Sequence, residues 1–88
     1  MIRFEDFEFV KTCDACPEQY DIFKGHIEVG WVRLRYGTLS AYYMGGLIYS
    51  REFDDEYKGE FSSDEEREHF LEVIAKEVAW EETQEVDA

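Results

Sequence analysis

Long apolar runs are missing from this sequence of 88 residues: no stretch approaches the ~20 consecutive apolar positions that a membrane-spanning helix requires. Basic residues are also scarce, nine Lys and Arg against 22 Asp and Glu, for a formal net charge of −13. The shortage is uneven: residues 1–49 hold five basic and seven acidic side chains (−2), whereas residues 50–88 hold four basic and fifteen acidic ones (−11). Naked nucleic acid and anionic membrane are therefore excluded as natural ligands of the second half, because like charges repel over a Debye length of about 8 Å. Proline occurs once, at Pro17, and cysteine twice, at Cys13 and Cys16. A disulfide across so short a spacing closes a tiny loop and constrains little of the unfolded chain, which makes stapling a poor explanation for the pair. The first ten residues alternate Phe with acids and lack the basic segment and apolar block of a secretory leader, so the expected location is the reducing cytoplasm. The two histidines, His26 and His69, have no serine or cysteine partner fixed by spacing. Accordingly no catalytic residue is assigned, no cofactor is expected, and the protein is read as not an enzyme.

What is present suffices for a folded domain. Apolar residues make up 44% of the chain, with seven Phe, six Tyr and two Trp, so high acidity does not imply disorder. Residues 1–82 are expected to form one compact domain and residues 83–88 an acidic, fraying tail. From Arg3 to Val10 the apolar positions Phe4, Phe7 and Phe9 follow period two with a slip around Glu5 and Asp6, which reads as one strand with a bulge. Residues 12–18 hold the proline and read as a loop. Residues 19–24 and 27–36 are rich in aromatic and branched side chains and are separated by Gly25-His26, a hairpin signal. Within the second of these the apolar parity switches, from Ile27, Val29 and Trp31 to Val32, Leu34 and Tyr36, and Gly30 marks the point where a bulge or a close backbone approach is needed. Gly37-Thr38 and Met44-Gly45-Gly46 turn the chain into strands over 39–43 and 47–53. Residues 54–60 are polar and aperiodic, a connector. Ser63-Asp64-Glu65-Glu66 matches a capping box, and Phe70, Leu71, Ile74 and Val78 form one stripe, flanked by Val73 and Trp80, on a helix over 64–82. The fold class follows: α+β, an antiparallel meander of about five strands with one C-terminal helix packed on one face.

Three constellations carry functional meaning. The face of that helix opposite the apolar stripe holds Glu65, Glu68, Glu72 and Glu82, with only Arg67 and Lys76 to offset them, and the connector adds Asp54, Asp55 and Glu56. An array of carboxylates on a rigid scaffold suits a basic protein surface, which it would find quickly by electrostatic steering, although such charge also serves solubility. Arg33 and Arg35 project from one strand face with Tyr36, Tyr42, Tyr43 and Tyr49 nearby, so they suit a phosphate or carboxylate if neighbouring strands leave them unpaired. In a chain so rich in acids the expectation is that they pair with Glu28, Glu52 or Asp21. Cys13 and Cys16 have the spacing of half a zinc site, but the second half is missing, and Asp14 and Glu18 disfavour a reactive thiolate. Their default role is packing the loop against the sheet.

The segment Cys16-Pro17-Glu18-Gln19-Tyr20-Asp21-Ile22-Phe23, followed by Val29-Gly30-Trp31-Val32-Arg33-Leu34-Arg35-Tyr36-Gly37, resembles a group of small uncharacterised bacterial and phage proteins. That resemblance covers about a third of the chain, implies a glycine-turn hairpin in a compact sheet, and brings no activity. The leading expectation is a non-enzymatic acidic interaction protein that docks on a basic protein surface, by analogy an inhibitor or nucleic-acid mimic of the kind phages carry. The alternatives are a nucleotide or small-ligand module built on Arg33, Arg35, Tyr36 and Tyr42, and a zinc protein using Cys13 and Cys16. No direct contact with nucleic acid or membrane is expected, and an exposed strand edge offers a route to a homodimer.

Overall fold

The computed structural model describes residues 2–4, 6–13 and 17–86, with residues 85 and 86 in backbone only. Six strands, β1 (Ile2–Phe4), β2 (Phe7–Cys13), β3 (Glu18–Lys24), β4 (Ile27–Arg35), β5 (Thr38–Tyr43) and β6 (Gly46–Glu52), form one antiparallel sheet in the order β1-β2-β3-β4-β5-β6. A single helix, α1 (Asp64–Val86), follows. Each strand pairs with its neighbour in sequence, the arrangement that short turns and period-two alternation favour.

The sixth strand comes from the amino terminus. Phe4 pairs with Phe7, so the slip in the Phe pattern is a chain reversal at Asp6 and not a bulge within one strand. Both readings preserve the same parity, since Ile2, Phe4, Phe7 and Phe9 face one side in a hairpin as they would along a kinked strand. The β4 anomaly is a bulge: Ile22 pairs with Gly30 but Phe23 with Glu28, leaving Val29 as the extra residue. Val29, Val32 and Leu34 can thereby all point into the core. Gly30 is obligatory at that place, because a Cβ there would lie 2.0 Å from the Tyr42 carbonyl oxygen. The β4–β5 turn consists of Tyr36 and Gly37, both at positive φ (52° and 74°), which matches the twist of flanking strands. It sits one residue earlier than the Gly37-Thr38 pair suggests.

The core lies between one sheet face and α1. Phe9, Ile22, Val32, Leu34 and Leu39 from the sheet meet Leu71, Ile74 and Val78 from the helix, all essentially without solvent contact and each contributing about 1.5–3 kcal/mol by burial. The helix packs most closely on β5 and β6. It starts where the capping box places it: the Ser63 Oγ accepts the Glu66 amide at 3.1 Å, and Glu66 Oε1 accepts the Ser62 amide at 2.8 Å. It continues to Val86, four residues past the expected end at Glu82 and into the segment expected to fray, while residues 87–88 lie outside the described residues. No helix among the described residues is long and apolar enough to cross a membrane.

Candidate functional site

Successive α1 residues advance about 100°, so Glu65, Glu68, His69, Glu72, Lys76, Trp80 and Thr83 gather on the side away from the sheet, and all are exposed. Among the described residues, Glu65, Glu68 and Glu72 take part in no ion pair. Arg67, expected to offset them, turns inward instead. Glu82 departs from the expected outward face: it is half-buried and accepts Lys24 Nζ at 2.6 Å, which ties α1 to β3. Trp80 departs in the other direction. It lies about 200° round the helix from Val78, so it leaves the apolar stripe and stands 57% exposed at the end of the acidic row. The spacing carried that information, and hydrophobicity alone misplaced the residue. Asp54, Asp55 and Glu56 are exposed on the connector, where Asp55 Oδ1 accepts the Tyr57 amide at 2.9 Å.

Arg67 turns inward to meet Glu18, a carboxylate only 2% exposed. Arg67 Nε donates to Glu18 Oε2 at 2.5 Å and Nη2 to Oε1 at 3.3 Å, the Phe61 amide donates to Oε1 at 3.0 Å, and the Tyr20 hydroxyl donates to Oε2. Burial pushes the Glu18 carboxyl up, but these hydrogen bonds and the guanidinium charge outweigh it and hold the group below the ordinary carboxylate range. Burial first, then the hydrogen bond to Glu18 and the Glu18 charge, push the Tyr20 phenol well above its usual value. Among the described residues no buried side-chain nitrogen or oxygen lacks a hydrogen-bond partner, and the cluster joins β3, the connector and α1. Glu18 belongs to β3 and not to the loop expected over 12–18, and the inward phase of Tyr20 and Ile22 carried two residues back is the signal that would have found it. Its partner, forty-nine positions away, had no local signal.

Among the described residues no helix covers the opposite face of the sheet. Trp31 and Tyr42, paired across β4 and β5, stack with ring centroids 4.0 Å apart. The expected pairing of Arg33 and Arg35 with Glu28, Glu52 or Asp21 does not occur: the Arg33 guanidinium lies over the Trp31 ring at 5.1 Å, and Arg35 lies over the Tyr36 ring at 4.7 Å while donating to its hydroxyl at 3.2 Å. Glu28 stands beside Asp21 instead, and the Asp21 charge pushes the Glu28 carboxyl above its ordinary value. Cross-strand distance explains the difference, because the residues directly opposite Arg33 and Arg35 on β5 are Ser40 and Thr38. The tyrosines also divide. Tyr43 is buried on the core side, Tyr42 is taken by Trp31, and Tyr36 stands 68% exposed at the turn.

Arg33, Arg35, Tyr36, Thr38 and Ser40 line a shallow cleft of about 270 Å³, and Arg35 and Tyr36 also belong to a second cleft of about 370 Å³ with Pro17, Tyr57 and Gly59. Tyr57, 81% exposed, had no sequence signal. It reaches this place because the connector is fastened to the sheet: the Gly37 amide donates to Lys58 O at 2.9 Å, the Phe53 amide to Gly37 O at 2.7 Å, and the Glu18 amide to Gly59 O at 2.7 Å. Gly37 permits that approach, as a Cβ there would stand 2.5 Å from Asp55 O.

Cys13 is a half-buried free thiol, and Cys16, the other half of the proposed zinc pair, lies outside the described residues. Among the described residues no group of three or more His, Cys, Asp or Glu could hold a metal ion. His26 is exposed in the β3–β4 turn, and His69 is exposed on α1, edge-on to Phe70 at 4.9 Å. Comparison with protein-family models, curated proteins and solved structures finds no match to this chain.

Proposed function

We propose that this chain is a non-enzymatic interaction protein of the cytoplasm that docks the outward face of α1 on a basic surface of a partner protein, after the manner of an inhibitor that occupies a nucleic-acid-binding cleft. The observation that carries this reading is the row Glu65, Glu68, Glu72, free of ion pairs among the described residues and ending at the exposed Trp80. Carboxylates spaced along a rigid helix steer a cationic partner, while an exposed indole supplies the central anchor that charge alone lacks. Trp80 also offers a π face to an arginine or lysine of that partner. Trp80 belongs to a packed helix, where the Thr83 hydroxyl donates to its backbone carbonyl at 2.7 Å, so little backbone ordering accompanies docking.

The test is affinity capture from the native host at low and high salt, followed by titration of the purified captured protein. The expected result is an affinity that falls steeply with salt, drops about tenfold in Trp80→Ala, drops further in the triple variant Glu65→Gln, Glu68→Gln, Glu72→Gln, and is lost to competing DNA. Unchanged affinity in both variants overturns the reading.

A further inference from the structure

Arg33 and Arg35 are the most unusual cations of this molecule. Acids outnumber bases 22 to nine in the chain, yet among the described residues neither guanidinium meets a carboxylate, and each rests on an aromatic ring. They share one sheet face, with the Ser40 and Thr38 hydroxyls directly across. Guanidinium forks beside hydroxyl donors form the usual recognition chemistry of a phosphate. The cleft that holds them continues, through Arg35 and Tyr36, into one where Tyr36, Tyr57 and Pro17 add flat apolar surfaces beside the Arg35 charge. Together the two clefts fall within the size of small-ligand sites, about 300–1,000 Å³.

Neither tyrosine is placed casually. Tyr36 adopts φ 52°, an uncommon region for a bulky residue, and that geometry sets its ring beside Arg35. Tyr57 is held by the fastened connector described above. We propose that this corner binds a nucleoside monophosphate, with its phosphate on Arg33 and Arg35 and its base against Tyr36 and Tyr57. Charge selects the monophosphate over a nucleic-acid strand. A phosphate monoester carries about −1.5 to −2 at neutral pH, which two arginines match, whereas a polyanion meets the field of a chain of net charge −13 and the exposed Asp55 and Glu56 beside the turn.

The experiment is a titration of the ¹⁵N-labelled full chain, followed by amide chemical shifts, with AMP, GMP, CMP, UMP, adenosine, inorganic phosphate and a short single-stranded oligonucleotide. At least one monophosphate is expected to saturate shifts at Tyr36, Gly37, Tyr57 and Gly59, about tenfold more tightly than adenosine or phosphate alone. Arg35→Ala is expected to weaken it about tenfold, and Tyr57→Ala to bring it to the level of inorganic phosphate. Both side chains are exposed, and retained amide dispersion confirms that the variants fold. The proposal is overturned by the absence of saturable shifts at millimolar monophosphate, by equal affinity for inorganic phosphate, by tighter binding of the oligonucleotide, or by unchanged affinity in either variant.

Discussion

Glu18 ties three parts of this fold together through a single carboxylate. Its partners come from β3, from Phe61 in the connector and from Arg67 in α1, so its removal leaves a half-buried guanidinium and a buried phenol without their acceptor. Breaking a buried ion pair on one side typically costs about 3–5 kcal/mol, and Glu18→Ala is expected to lose that much in urea unfolding. The pH dependence has a definite sign at both ends. The folded Glu18 pKa lies below its ordinary 4.5, so its contribution is complete above pH 4.5 and drains as pH falls through the lower folded value. The folded Tyr20 pKa lies above its ordinary 10.0, so that contribution is complete below pH 10.0 and drains as pH rises toward the folded value. A stability plateau between these limits is expected in wild type, with both shoulders blunted in Glu18→Ala. Identical pH profiles for the two proteins would exclude the cluster as the cause.

At the scale of elements, α1 depends on its start. Its first turn holds Asp64, Glu65 and Glu66, favourable at the positive end of the dipole, but its last turn holds no basic residue. The amino-terminal cap therefore matters more than in a helix anchored at both ends. Lys58 reinforces it, pairing with Glu66 at 3.0 Å and donating to the Ser62 hydroxyl at 2.7 Å. Ser63→Ala is expected to cost about 1 kcal/mol in thermal or urea unfolding, and amide exchange should rise first in residues 64–67. Uniform exchange along the helix in that variant would show that packing alone fixes its start. Local chemistry made this element readable in advance: the serine cap, the acids after it and the spacing of Phe70, Leu71, Ile74 and Val78 are all properties of neighbours in sequence. The strands were readable for the same reason. The amino-terminal hairpin was misread because period-two alternation survives both a bulge and a reversal, and only pairing distinguishes them.

The whole molecule carries a charge of −13 in a body 39 × 23 × 20 Å. Such density makes the folded state repel itself, an effect that reaches across the entire protein at 0.01 M salt, where the Debye length is about 30 Å, and is confined to near neighbours at 0.15 M, where it is about 8 Å. The melting temperature is expected to rise as salt increases over that range, as read by calorimetry. A flat or falling trend would mean that the ion pairs, chiefly Lys24 with Glu82, Lys58 with Glu66 and Arg67 with Glu18, outweigh the general repulsion.

Periodicity and capping are rules about residues a few positions apart, and they were enough for the α+β class, the parity switch at Gly30 and the beginning of α1. Charge composition likewise pointed to the acidic helix. Folding alone assigned partners across long separations: Arg67 went to Glu18, Glu82 to Lys24, and Arg33 and Arg35 to aromatic rings, with Tyr57 carried beside Tyr36 by a connector whose residues show no pattern. In an acidic chain each cation has many available carboxylates, and which one it meets depends on sheet register and on where the helix lies, neither of which any short segment encodes.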